Sequence, residues 1–335
     1  MTILNDISIL IVTKLNDKKR FDNVFTHIRK QYPDNEIVIV YDNITENFLN
    51  NEKNLIQICT AKNVYVSGGY NLAVKNSTKP YFVFLHDDTY TAPNFLENLL
   101  PHLDTSTFCN FITIEPPLFG NIDSIYRPIK DLGKTYESFS SKSLNEFYYE
   151  HIKKLKNIVE PSIYGGFFMA GNKDSFLSIG GFDENFKPYF HEDSDLMIRL
   201  NESGFKFKFI LNSLVYHLVS QTSRASTDEC NSSLKITESI FIKKWKTTFE
   251  YYKKFSMLNE FTYSKPKICI EKINCENELI NFLNLFHDDT GDIKLIVDGN
   301  VFSNEDVKYI LQLPYLINEI KENGTYQIGS LKLIK

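Results

Sequence analysis

Apolar runs at residues 7–13, 36–42 and 81–85 each break off at polar residues, and an amphipathic stretch at 18–31 separates the first two. The uninterrupted run at 81–85 suits a strand covered on both faces, as in a parallel sheet, and parallel strands need helical crossovers. The alternation continues with a strand at 55–59, a helix at 70–75, the strand at 81–85 and a helix opening after Pro93 with Thr91 as its cap. The pattern predicts an α/β domain, Rossmann-like, with a mostly parallel sheet and flanking helices. Thr13, Asp42 and Asp87 then lie along the carboxyl edge of the sheet, where ligands collect in folds of this class.

Regularity weakens between Pro116 and Pro161 into a polar, Ser- and Lys-rich stretch with one helix near 144–156. It returns with a strand-like segment at 165–172, a helix at 193–203 ended by Gly204, strands at 205–211 and 214–217, and a long helix from Ser232 to about Phe255. Beyond Pro266 the pattern is strand, helix, strand, helix, strand. We expect a main domain at 1–258 and a small α/β module at 259–335, which is compatible with a chain of 335 residues.

A net charge of −5 gives no bulk attraction to nucleic acid. The basic, aromatic-rich segment 243–254 reads first as a helix with one solvated face, and a peripheral membrane contact is its minority reading. Five cysteines (Cys59, Cys109, Cys230, Cys269, Cys275) without paired metal-ligand spacing fit a reducing, cytoplasmic compartment. No segment approaches the roughly 20 apolar residues that span a bilayer, and the first residues lack a basic region ahead of their apolar stretch, so neither a membrane span nor a signal peptide is expected.

The chemistry concentrates at His86, Asp87 and Asp88, directly after the third of the long apolar runs. Adjacent carboxylates at a strand end offer hard oxygen ligands to a divalent cation. The same tetrapeptide, HDDT, recurs at 287–290 after a helix-like segment and runs into Gly291, which is turn chemistry, so metal binding is expected only of the first copy. Downstream, Glu192, Asp193 and Asp195 crowd a helix start, where acids are favourable by electrostatics alone. His217 ends an apolar strand, and alone it reads as structural.

Together and in order, these pieces resemble the inverting glycosyltransferases of family 2, with the A-type nucleotide-sugar-binding fold, over about residues 7–245. The turn Thr13-Lys14-Leu15-Asn16 matches the family's base-contacting turn, although the usual proline before the threonine is Val12 here. Asp42 matches the aspartate that reads the base, and Ser67 to Ala73, SGGYNLA, matches the segment against the nucleoside, with Gly69 and Asn71 in it. FLHDD matches the acidic metal motif, Gly165-Gly166-Phe167-Phe168 the strand beside the donor sugar, and GGFDENF leading into HED the segment carrying the catalytic base. Phe241 to Trp245 is similar to a helix segment of the rhamnosyltransferase-like branch.

The resemblance implies Asp193 as general base and Asp88 with His217 as ligands of Mn²⁺ or Mg²⁺. It places Asp87 near the ribose or the metal, Gly166 beside the sugar and Glu192 at the acceptor or the helix start. Arg224 and Ser220 follow His217 in a loop that would close over the diphosphate. The implied reaction moves a sugar from a UDP- or dTDP-linked donor to a hydroxyl of a glycan, glycolipid or protein acceptor. Two other readings stand beside it. One is a binding module that kept the fold without catalysis; the other is a sugar nucleotidyltransferase, which should carry a Gly-rich basic loop after its first strand where this chain has Lys14 and Leu15.

Overall fold

The computed structural model describes residues 3–49, 52–117, 123–162, 166–218, 227–245, 296–297, 300–301, 325–328 and 331–334. By its internal contacts the chain divides into two units, Met1–Thr237 and Glu238–Lys335. The first is built from β1 (Ile7–Thr13), α1 (Lys18–Gln31), β2 (Glu36–Tyr41), β3 (Leu55–Cys59), α2 (Tyr65–Asn76), β4 (Tyr81–His86), β5 (Thr89–Thr91), α3 (Phe95–Leu99), β6 (Thr107–Ile114), α4 (Ser141–Lys154), β7 (Val159–Ser162), β8 (Met169–Asn172), α5 (Lys173–Ser178), α6 (Glu192–Glu202) and β9 (Lys206–His217). Helix α7 (Thr227–Trp245) follows and runs across the division.

The strands form one mixed, mostly parallel sheet in the order β3-β2-β1-β4-β8-β6-β9-β5, with β7 paired to β9. Its long ladders, β1 with β2 and β4, β2 with β3, and β6 with β9, are parallel. Strand β8 enters antiparallel between β4 and β6.

The period-2 pleat explains why β1 is apolar on both faces apart from Ser8 and the terminal Thr13. Ile7, Ile9 and Ile11 face a core shared with α1, α3 and α4, while Leu10 faces a second core with α2, α5 and α6. Both faces of the sheet are therefore covered.

Several local expectations are corrected. The helix after Pro93 begins at Phe95 and is entered through Asn94 in a left-handed conformation (φ 57°), and Thr91 belongs to β5. Helix α2 starts at Tyr65, five residues earlier than expected. The strand expected at 165–172 shortens to β8, leaving Gly166 to Phe168 as a loop. The two strands expected at 205–217 are one, β9, interrupted by a bulge: Ile210 pairs with Phe111, but Leu214 pairs with Ile112.

In the second unit the described strands are two hairpins, Ile296–Val297 with Asn300–Val301 and Thr325–Ile328 with Leu331–Ile334. The expected boundary near 258, the second HDDT, Ser220, Arg224, Gly165, Cys269 and Cys275 lie outside the described residues.

Candidate donor and metal site at the carboxyl edge of the sheet

Register brings the site together. Val12 pairs with His86 across β1 and β4, Thr13 with Tyr41 across β1 and β2, and Thr89 with His217 across β5 and β9. Ile114 pairs with Tyr216, which sets Glu115 beside His217. Residues 13, 42, 86–88, 115 and 217 consequently share one edge, although they come from five segments.

Asp88 and His217 meet directly, with Asp88 Oδ1 3.2 Å from His217 Nε2. On the far side of the ring, Nδ1 lies 3.6 Å from Glu115 Oε1. Both residues are buried. Burial works against the charged form of His217, but Asp88 and Glu115 overcome it and push the imidazole up to about 9. Burial likewise opposes ionisation of Asp88, and the His217 cation holds its carboxyl well below the usual range.

His86 behaves oppositely. Its ring stacks on Phe167 with centroids 4.2 Å apart and lies 5.4 Å from that of His217. Burial, with His217 next, pushes it down to about 3, so His86 is a neutral, aromatic wall of the site.

A cation can be tested against this donor set. Adjacent ligands on an octahedral ion with bonds of about 2.1 Å stand about 3 Å apart, close to the observed 3.2 Å between Asp88 Oδ1 and His217 Nε2. Asp88 Oδ1 is buried, with His217 Nε2 at 3.2 Å in ion-pair reach but no well-aligned hydrogen-bond donor. With the His217 Nε2 proton displaced, one carboxylate oxygen and one imidazole nitrogen would fit a hard divalent ion that keeps other positions for substrate oxygens. Among the described residues no group of three His, Cys, Asp or Glu closes on a single point. Asp88 and His217 are thus a close pair of candidate ligands.

Asp87 turns the other way. Thr13 Oγ1 donates to its Oδ2 at 2.6 Å, and Arg20 Nη2 reaches both of its oxygens at 3.4 Å. Burial and the neighbouring Asp88 raise its pKa, while Arg20 and Thr13 oppose that rise. Arg20 is a buried residue that the sequence reading passed over, because KKR in a polar stretch looks like surface.

The remaining expected residues have definite places. Asp42 accepts from the backbone N–H of Val64 at 2.6 Å and of Tyr65 at 3.2 Å, anchoring the start of α2, with Lys14 Nζ 3.9 Å away. Gly69 packs α2 against β1: a Cβ there would stand 2.6 Å from Val12 Cγ1. Asn71, expected at the nucleoside, has its amide committed to the GGFDE turn instead. It donates to Phe182 O and Glu184 Oε1, both at 2.9 Å, and accepts from Phe182 N at 2.8 Å. That clamp needs Gly181, whose φ is +66° and where a Cβ would come within 2.4 Å of Asn71 Oδ1.

The turn into α6 is strained. Phe190 and His191, neither a glycine, both have positive φ, 84° and 62°. Such residues persist where the surroundings impose them. Ser233 Oγ donates to Tyr189 O at 3.0 Å, and Thr237 Oγ1 lies 3.2 Å from His191 Nδ1, so α7 backs the turn.

This turn presents Glu192 and Asp193. Asp193 Oδ1 accepts from Ser194 N at 2.7 Å, and its Oδ2 comes within 3.9 Å of where a Cβ on Gly166 would stand. Glu192 is buried, its Oε2 has no hydrogen-bond partner, and burial together with Asp193 pushes it up to about 8. The Gly166 loop is held by Asn110 of β6, whose Nδ2 donates to Phe168 O at 3.0 Å and more weakly to Gly166 O.

A mostly parallel sheet covered by helices on both faces, with polar and acidic residues gathered at its carboxyl edge, is an α/β fold like that of the A-type glycosyltransferases. The model of glycosyl transferase family 2 matches residues 8–176, and the chain belongs to that family. A second model, described as the N-terminal domain of galactosyltransferase, matches residues 152–220. No curated protein matches the chain by sequence.

Among solved structures, GalNAc-T7 with UDP, GalNAc and Mn²⁺ is similar at 13% identity and a TM-score of 0.51, over 84% of this chain and 54% of that one. The chain therefore spans about half the length of GalNAc-T7. S. aureus TarS follows at 12% identity and a TM-score of 0.48, over 98% of this chain and 58% of that one. Among the described residues no helix is long and apolar enough to cross a membrane.

Proposed function

We propose that the protein is a metal-dependent inverting glycosyltransferase that moves a sugar from a UDP- or dTDP-linked donor to a hydroxyl of a glycan, glycolipid or protein. The observation that carries this reading is the 3.2 Å approach of Asp88 to His217 at the carboxyl edge of the sheet, with Asp193 beside the Gly166 loop. GalNAc-T7, of the same fold, was solved with UDP and Mn²⁺.

Asp88 and His217 would hold Mn²⁺ or Mg²⁺, and the bound ion supplies charge stabilisation to the departing diphosphate. Asp193 takes the proton of the attacking hydroxyl, which enters opposite the leaving nucleotide and inverts the anomeric centre. Glu192, buried behind Asp193, keeps its proton near neutrality and adds no second negative charge beside the base. His86 and Phe167 form an aromatic floor next to the clamp. Lys14 and Asp42 flank the end of β1 where the base would lie.

A cytoplasmic place in polysaccharide synthesis is the setting that suits this reading, and the rhamnosyltransferase-like branch rests on the Phe241 to Trp245 segment. The main domain would end near residue 258. The test is a panel of UDP- and dTDP-sugars scored for hydrolysis with and without Mn²⁺. Cation-dependent release of UDP or dTDP from one donor supports the proposal; no release from any donor counts against it.

A further inference from the structure

Arg20 stands where helix α1 has least reason to keep an arginine. Asp17 caps the helix, accepting from Arg20 N at 3.0 Å, so Arg20 lies in the first turn, where the helix dipole disfavours cations. It also falls on the core-facing stripe with Val24 and Ile28, at i+4 and i+8. Only 5% of it is exposed. A charge so placed needs a counter-ion, and Asp87 supplies it: Arg20 Nη2 donates to both of its carboxylate oxygens at 3.4 Å. Arg20 Nε is buried with no hydrogen-bond acceptor, so the Asp87 contact through Nη2 is where its charge is met.

We propose that Arg20 is a positioning residue that sorts the two adjacent carboxylates into different roles. With Thr13 it holds Asp87 toward β1 and α1 and offsets its charge, leaving Asp88 alone to turn to His217. Without Arg20, Asp87 becomes a second uncompensated anion at the mouth of a site that must accept a diphosphate. This inference rests on reading Asp88 and His217 as the donor clamp.

Calorimetric titration of the full-length wild type, R20K and R20M with UDP in saturating Mn²⁺, and with Mn²⁺ alone, separates the possibilities. R20M should weaken UDP binding by about tenfold or more, and R20K should recover most of it. Mn²⁺ alone should bind R20M no more weakly than wild type, because the freed Asp87 adds negative charge next to Asp88 and removes no ligand. A merely structural Arg20 would weaken both titrations together and gain nothing from lysine. That result overturns the proposal, as does UDP binding to R20M within about twofold of wild type.

Should the wild type itself bind no UDP, the glycosyl-transfer reading has failed, and urea unfolding of R20M, D87N and R20M/D87N decides the pairing. A double variant more stable than R20M alone supports the role of Arg20, and additive losses contradict it.

Discussion

Asp88 Oδ1 and His217 Nε2 stand 3.2 Å apart although 129 positions separate them, because the β5–β9 ladder pairs Thr89 with His217. Removing His217 takes from buried Asp88 its closest cation, and removing Asp88 leaves His217 with Glu115 at 3.6 Å as its remaining carboxylate. H217A and D88N should each lose about 3 kcal/mol of folding stability in urea unfolding, and each should abolish the Mn²⁺-dependent part of UDP binding.

Asp193 lies at the end of a strained turn, facing the Gly166 loop. D193N should keep UDP affinity within a few-fold while sugar transfer falls by about 10² to 10⁴. Steady-state kinetics with the donor found in the panel checks this. Near-normal turnover removes Asp193 from the role of base.

Glu192 makes stability depend on pH. Its folded-state pKa, about 8, lies above its unfolded value, so the folded protein binds the proton more tightly. The contribution is fully present below the unfolded pKa and is lost as pH rises through about 8. The difference in unfolding free energy between E192Q and wild type should therefore grow from pH 5 to pH 8, reaching about 1 kcal/mol or more in favour of E192Q. A difference that stays flat over that window contradicts the burial-driven shift.

Gly69 has no space for a side chain against Val12. G69A should cost about 1 to 3 kcal/mol by overpacking, and V12A in the same chain should recover part of it. Thermal unfolding of the two variants reads this directly.

The mostly apolar runs of β1 and β3, broken inside only by Ser8 and Gln57, and the amphipathic stripe of α1 were legible, and all three have the expected bounds. Strand β6 was not, because Thr107, Cys109, Asn110 and Thr113 break up its apolar look although every residue in it is buried. Missing β6 also hid Glu115 at its end and Asn110 beneath the Gly166 loop. Asn212-Ser213 reads as a turn, but it is the bulge of β9, where Asn98 Nδ2 donates to Asn212 O at 2.5 Å and Ser213 Oγ donates to Phe95 O at 2.9 Å.

The order of site motifs along the chain was readable, but the partners of each side chain were not. Asn71 sits in the expected segment, yet its amide serves the turn at Phe182. Arg20 has no local mark that distinguishes it from Lys18 and Lys19, because its burial follows from the register of α1 against a sheet assembled from distant residues.

The central claim is most directly tested by calorimetric titration of UDP into the wild-type protein and H217A, each with Mn²⁺ and with the cation chelated. The account predicts saturable binding by the wild type in Mn²⁺ alone, lost on chelation and absent in H217A. UDP binding of equal affinity with and without the cation, or equal in H217A, would contradict it.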